Sequence, residues 1–300
     1  MIYFLQVIDK LKSMQIESWH AKSSSSYMGE NNHRRDNLEE LCLSRLMSPD
    51  ILYSFLHRNP NLTSLSLNKC SFIDTVPLIM SPEIKNLGVV PKLKNLKLTD
   101  LPDLEMISFE GDIILERIEL LILKNCPRLV NIMPSSVSLT HLTYLEVVNC
   151  DGLKRLMTLS AAKNLVQLDS MKVINCESME EIVDNENIGE VDKTEEHEYE
   201  NTGKADILFK QLKVIELVSL KKLNCFSRSC VFEFPSLEKL VVSACPKMDK
   251  FSGNVKSTPL LQTIFVVHEK EKKIGYWKDD LNTTIQEIYQ EKVCPYAVID

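Results

Sequence analysis

Cysteine chemistry is the first question the sequence raises, because Cys70, Cys126, Cys150, Cys176 and Cys245 recur at one position of a repeating pattern. A thiolate can hold a metal or attack an electrophile. Metal binding needs ligands that converge, usually as C-x-x-C pairs, and these cysteines are separated by whole repeats. They read instead as small apolar side chains in a core. The total of nine is odd and implies no disulfide framework, which fits a reducing compartment. Cys225 and Cys230 flank a short loop and would pair only in an oxidising setting. The six histidines are scattered without metal-ligand spacing. There is no G-x-x-x-x-G-K-[ST] phosphate loop, H-E-x-x-H or G-x-S-x-G, and only eight glycines. The expectation is a protein without catalytic residues, cofactor or metal.

Binding is the better class. Lys97, Ile122, Tyr144, Glu146, Lys172, Glu216, Val241 and Phe265 alternate with core positions and are not needed to fill the interior. Their signs are mixed, and Ile122, Tyr144, Val241 and Phe265 offer anchors. Such a surface suits a protein partner and is poorly matched to a nucleic-acid backbone.

The elements that carry these residues come from a ladder. Leu142, Leu145, Val147, Cys150, Leu153 and Leu156 recur upstream as Ile118, Leu121, Leu123, Cys126, Leu129 and Ile132. Downstream they return as Leu168, Met171, Val173, Cys176, Met179 and Ile182. Leu145 and Val147 are two apart and share one face of a strand, while Glu146 points to the other. Cys150 fits inside the turn that follows, and Leu153 and Leu156 bring the chain back over the same interior. This is the L-x-x-L-x-L-x-x-N/C-x-L pattern of a leucine-rich repeat. Coils open at Leu38, Leu62, Leu93, Ile118, Leu142, Leu168, Leu212, Leu237 and Leu261. The fold class predicted is α/β: a leucine-rich-repeat solenoid, or horseshoe, with a parallel sheet on the concave face and an irregular or short-helical convex side. The binding residues above then line the concave face.

Around this core, residues 1–37 read as a non-repeat segment and linker, with Ile2, Leu5, Ile8 and Leu11 at helical spacing. Residues 38–275 form the repeat domain. Glu177 to Asp206 contain twelve acidic residues and two lysines, a net of −10 against −7 for the whole chain. Within that span, 184–206 reads as a mobile acidic insertion. Residues 276–300 read as a helical cap or a lead into further repeats, with Trp277 to Val293 helical and Thr284 and Glu287 as its capping box. Asn61 and Asn282 open short glycosylation sequons that are read as chance. No apolar run reaches the ~18 residues of a membrane span.

The strings Phe234-Pro-Ser-Leu-Glu-Lys-Leu-Val-Val-Ser-Ala-Cys-Pro-Lys-Met248, Leu123-Lys-Asn-Cys-Pro-Arg-Leu129, Asn175-Cys-Glu-Ser-Met-Glu-Glu-Ile182 and Trp277-Lys-Asp-Asp-Leu-Asn-Thr-Thr-Ile-Gln286 resemble plant intracellular immune receptors of the coiled-coil, nucleotide-binding, leucine-rich-repeat type. The resemblance covers about residues 38–293. It implies a repeat domain that senses a pathogen effector or a guarded host protein and restrains a nucleotide-binding switch. No such switch domain or coiled coil is seen in this sequence, so the resemblance implies a fragment, a truncated member or a stand-alone repeat protein. The nucleotide-binding domain would then be a partner in cis for a fragment and in trans otherwise. A cytoplasmic location is implied, with nucleo-cytoplasmic or membrane-peripheral variants. The alternative is a leucine-rich-repeat adaptor, such as the substrate receptor of a ubiquitin ligase.

Overall fold

A computed structural model of the chain describes residues 12–17, 38–46, 52, 56, 59–71, 76–77, 92–108, 115–132, 138–184, 206–267 and 273–290. It divides into two compact units, Met1–Leu142 and Thr143–Asp300. The acidic insertion, apart from its end residues, and most of segments 1–37 and 49–57 lie outside the described residues.

The first unit contains β1 (Ser13–Glu17), β2 (Glu40–Ser44), β3 (Ser64–Asn68), β4 (Val76–Pro77), β5 (Asn95–Thr99), β6 (Ile107–Ser108) and β7 (Leu120–Lys124). Strands β1, β2, β3, β5 and β7 pair in parallel, and Leu41, Leu65, Leu96 and Leu121 stand side by side in register. Strand β1 lies within the segment read as non-repeat. Met14 and Ile16 repeat the two-apart spacing of later coils, which is why this stretch can join the ladder.

The second unit contains β8 (Tyr144–Val148), β9 (Arg155–Thr158), α1 (Leu159–Asn164), β10 (Ser170–Ile174), β11 (Glu181–Asp184), β12 (Asp206–Leu208), β13 (Val214–Val218), β14 (Ser227–Glu233), β15 (Lys239–Ser243), β16 (Ser252–Ser257), β17 (Ile264–Val267), β18 (Lys273–Tyr276) and α2 (Leu281–Gln290). Its principal sheet runs β8, β10, β13, β15 and β17 in parallel and ends on β18, which is antiparallel to β17.

Each unit is therefore a parallel-sheet leucine-rich-repeat solenoid. Beside short helical pieces such as α1, as expected, several return legs are extended. These legs pair in parallel, β4 with β6, β9 with β11, and β14 with both β12 and β16. Residues such as Ile182, Val183, Ile207, Val231 and Phe232 are β-branched or aromatic and favour strand over helix. In the core of the second unit the buried Phe209, Phe226, Phe232, Phe234 and Phe251 pack as stacked and edge-on rings, 5.0 to 6.4 Å apart.

The turns after eight principal strands, β2, β3, β5, β7, β8, β10, β13 and β15, share one feature. Arg45, Lys69, Asp100, Asn125, Asn149, Asn175, Ser219 and Ala244 all sit at positive φ, between 50° and 57°. This left-handed turn aims the residue's N–H at the next coil. Asn149 donates to Ile174 O at 3.0 Å, Asn175 to Val218 O at 2.9 Å, and Ser219 to Ser243 O at 2.9 Å. Asparagine tolerates the conformation, whereas for most L-residues it costs roughly 1–2 kcal/mol. The adjacent cysteine then points inward. Cys126, Cys150 and Cys176 each donate Sγ–H to the carbonyl two residues back, at 3.5 Å. Burial raises the pKa of Cys176 and Cys225 to about 11, so these thiols stay neutral.

Helix α2 begins at Leu281, and its cap is Asp280 rather than Thr284. The Asp280 carboxylate accepts from Thr283 N at 3.0 Å and from Thr283 Oγ1 at 2.7 Å. Thr284 is buried inside the first turn, with Oγ1 donating to Asp280 O at 2.7 Å. Glu287 pairs with Lys278 instead of closing a capping box. The helix docks through Asn282, whose Oδ1 accepts from Phe251 N and Ser252 N and whose Nδ2 donates to Ser252 O. It thereby satisfies the start of β16.

Candidate protein-recognition face

Strands that alternate buried and half-exposed residues present one row of side chains inward and one outward. In the first unit Lys97 is exposed and Ile122 is half-buried, neighbours in register across β5 and β7. Cys42 and Ser66 continue that row.

The second unit gathers more of the expected residues. Glu146, Lys172, Glu216, Val241 and Phe265 stand in one register row across five strands. Glu216 is central, its side chain 15% exposed. It accepts from Lys239 Nζ at 2.5 Å, and Lys172 Nζ lies 3.7 Å away. Burial pushes its pKa up, but the Lys239 hydrogen bond and the charges of Lys172, Lys239 and Lys273 outweigh that and hold it below the ordinary carboxylate value. Lys172 Nζ also lies 5.8 Å from the centre of the Tyr144 ring, within cation–π range. Tyr144 donates its hydroxyl to Glu146 Oε2 at 3.0 Å. Burial, that hydrogen bond and the charges of Glu146 and Glu216 raise the Tyr144 pKa to about 12. The result is a pre-ordered run Glu146–Tyr144–Lys172–Glu216–Lys239.

Val241 corrects the sequence reading. It is 1% exposed and offers no anchor. A valine is short, and its register neighbours Glu216 and Phe265 are both longer. Phe265 is half-buried and faces Gly275 of β18, its Cε1 3.7 Å from where a side chain there would begin.

The structure also brings forward residues outside the expected set. Val148, Ile174 and Val218 close their strands on the outer face, adjacent in register and half-buried. The corresponding residues of the first unit are Ser44, Asn68, Thr99 and Lys124. The signal was present in the sequence as a β-branched residue before three successive left-handed turns. Among the described residues no group of three or more His, Cys, Asp or Glu is placed to hold a metal ion. No described helix is long and apolar enough to cross a membrane.

The parallel coils, their left-handed turns and their outward rows define a leucine-rich-repeat solenoid. Residues 140–258 match the family described as plant disease resistance protein RPS2-like, leucine-rich repeats. A probable disease resistance protein of Arabidopsis thaliana is 29% identical over 154 residues, which span 50% of this chain and 14% of that protein. No solved structure matches the chain. The repeats of residues 140–258 are therefore similar to the leucine-rich repeats of plant disease resistance proteins.

Proposed function

We propose that the chain is the protein-recognition module of a plant innate-immunity receptor. It senses a pathogen effector or a guarded host protein through the outer face of its principal sheet, the side expected to be concave. In this reading it acts in the cytoplasm and also restrains a nucleotide-binding domain, in cis within a longer chain or in trans. The observation that carries the reading is the ordered run Glu146–Tyr144–Lys172–Glu216–Lys239 on the outer face, set on repeats of which residues 140–258 match a disease resistance family. Side chains held by their neighbours lose little entropy on binding, which favours specific protein recognition. Proximity labelling in plant tissue tests it, with the full chain fused to a biotin ligase. A protein labelled by the native chain and lost with the Tyr144→Ala/Lys172→Ala variant supports the proposal, provided the variant melts normally. Identical labelled sets would refute recognition through this face.

A further inference from the structure

The return legs of the second unit are joined by a series of equivalent hydrogen bonds. Ile182, Phe226 and Phe251 each lie three residues after a buried Met179, Leu223 or Met248, and all three are 0% exposed. Ile182 N donates to Phe226 O at 3.1 Å, and Phe226 N donates to Phe251 O at 2.6 Å. The next donor is Phe251 N, and its acceptor is a side chain, Asn282 Oδ1, at 2.9 Å. The likeness extends to the following residue. Phe226 O accepts from both Ile182 N and Val183 N, and Asn282 Oδ1 accepts from both Phe251 N and Ser252 N. A primary amide offers the same carbonyl and N–H as a peptide group, and Asn282 Nδ2 donates in return to Ser252 O. The Asn282 side chain therefore stands where the return leg of one more coil would stand.

The neighbouring elements also have the form of an end. Strand β18 runs antiparallel to β17, whereas a further coil would need a parallel strand there to continue the evenly spaced ladder. It is four residues long and carries Lys273 and Gly275. A short strand with a lysine on it protects a sheet edge from further pairing. Helix α2 buries Leu281, Thr284, Ile285 and Ile288 on one side and leaves Gln286 exposed. That is the polar outer face a terminal unit of a repeat array requires.

We infer that Lys273–Gln290 is a cap that takes the place of a coil, and that it keeps this end of the array from pairing with a second copy of the chain. With the cap released, β17 and β16 become open edges, and Phe251 N, Ser252 N and Ser252 O lose their partners. Open edges pair with other strands, and another copy supplies strands of matching spacing. The inference is independent of what the outer face binds.

Sedimentation velocity and hydrogen exchange on the full chain test it, with Ile285→Asp to place a charge beneath α2 and release the helix. The native chain should keep one sedimentation coefficient over an about hundredfold range of concentration. Ile285→Asp should lose protection in Ser252–Ser257 and keep it in Tyr144–Val148 and Ser170–Ile174. Its weight-average mass should at least about double at the upper end of that range. Asn282→Ala should do the same to a smaller extent, and it decides the matter if Ile285→Asp unfolds the whole unit. Gln286→Ala should behave as the native chain. Variants that lose protection in Ser252–Ser257 and stay monomeric would overturn the inference. So would a native chain that associates as strongly as the variants, or an α2 that exchanges in the native protein as fast as unfolded chain.

Discussion

Removing the Asn282 side chain should unfasten the last turn of the solenoid. Its amide makes three hydrogen bonds to the first residue of β16 and the residue before it: Phe251 N at 2.9 Å, Ser252 N at 3.1 Å and Ser252 O at 3.0 Å. A typical intramolecular hydrogen bond contributes about 0.5–1.5 kcal/mol net, so three give about 1.5–4.5 kcal/mol. Phe251 and Ser252 are both 0% exposed, so the groups left behind cannot rehydrate in place. The cost of Asn282→Ala should therefore sit near the middle or above, about 3 kcal/mol. Repeat proteins can lose an end without melting throughout, so the loss should appear first as local opening. Amide hydrogen exchange at Phe251 and Ser252 should accelerate by roughly a hundredfold. Asn282→Asp keeps oxygens for both N–H donors but sets a carboxylate against Ser252 O, and its cost should be about 1–2 kcal/mol. The exposed Gln286 serves as control, and Gln286→Ala should change neither exchange nor melting. Unchanged exchange at Phe251 and Ser252 in Asn282→Ala would refute the reasoning.

Other outcomes follow from the same geometry. The Thr283 backbone N–H first, then its hydroxyl, holds the Asp280 pKa below the ordinary aspartate value. The stability this cap adds is present above the unfolded aspartate pKa and is lost as pH falls through the lower folded value; Asp280→Ala should cost about 1 kcal/mol near neutrality and should flatten that acid limb in denaturation measured against pH. Ala244 sits at φ 50°, so Ala244→Gly should raise stability by about 0.5–1 kcal/mol in chemical denaturation, the relief of the left-handed strain less the entropy glycine loses. Cys70, Cys126, Cys150, Cys176, Cys225, Cys230 and Cys245 are buried and should resist a thiol reagent in native buffer, reacting only after denaturant is added, as intact mass would show. Gly253→Ala should destabilise by about 1–3 kcal/mol, because its new methyl would collide with the Arg228 carbonyl oxygen, and a melting curve reads this directly.

The ladder was legible because burial imposes a fixed spacing. Leu145 and Val147, or Ile215 and Leu217, must be two apart to share the interior face, and both pairs are fully buried. Strand β1 was missed because its Met14-Gln-Ile16 core stands in a polar stretch, 27 residues before Leu41. The return legs were harder for a different reason. Short apolar runs such as Ile182–Val183 do not show by periodicity whether they form strand or helix, and pairing across coils decides it. At the face, alternation located Tyr144, Glu146, Lys172 and Glu216, but it could not show that Glu216 binds two lysines, since pairing depends on side-chain reach across strands. The same limit hid the burial of Val241, which is set by the length of its neighbours rather than by its own position. Thr284 was read as a cap from its spacing to Glu287, but Asp280 lies one residue before the helix and reaches the Thr283 N–H first.

The most direct test of the recognition face is backbone hydrogen exchange on the full chain, with and without the protein captured by proximity labelling. The account predicts new protection in Tyr144–Val148, Ser170–Ile174 and Val214–Val218, the strands that carry Glu146, Lys172 and Glu216. Protection confined to the return strands Arg155–Thr158 and Ser227–Glu233 would contradict it and place the partner on the opposite side of the coils.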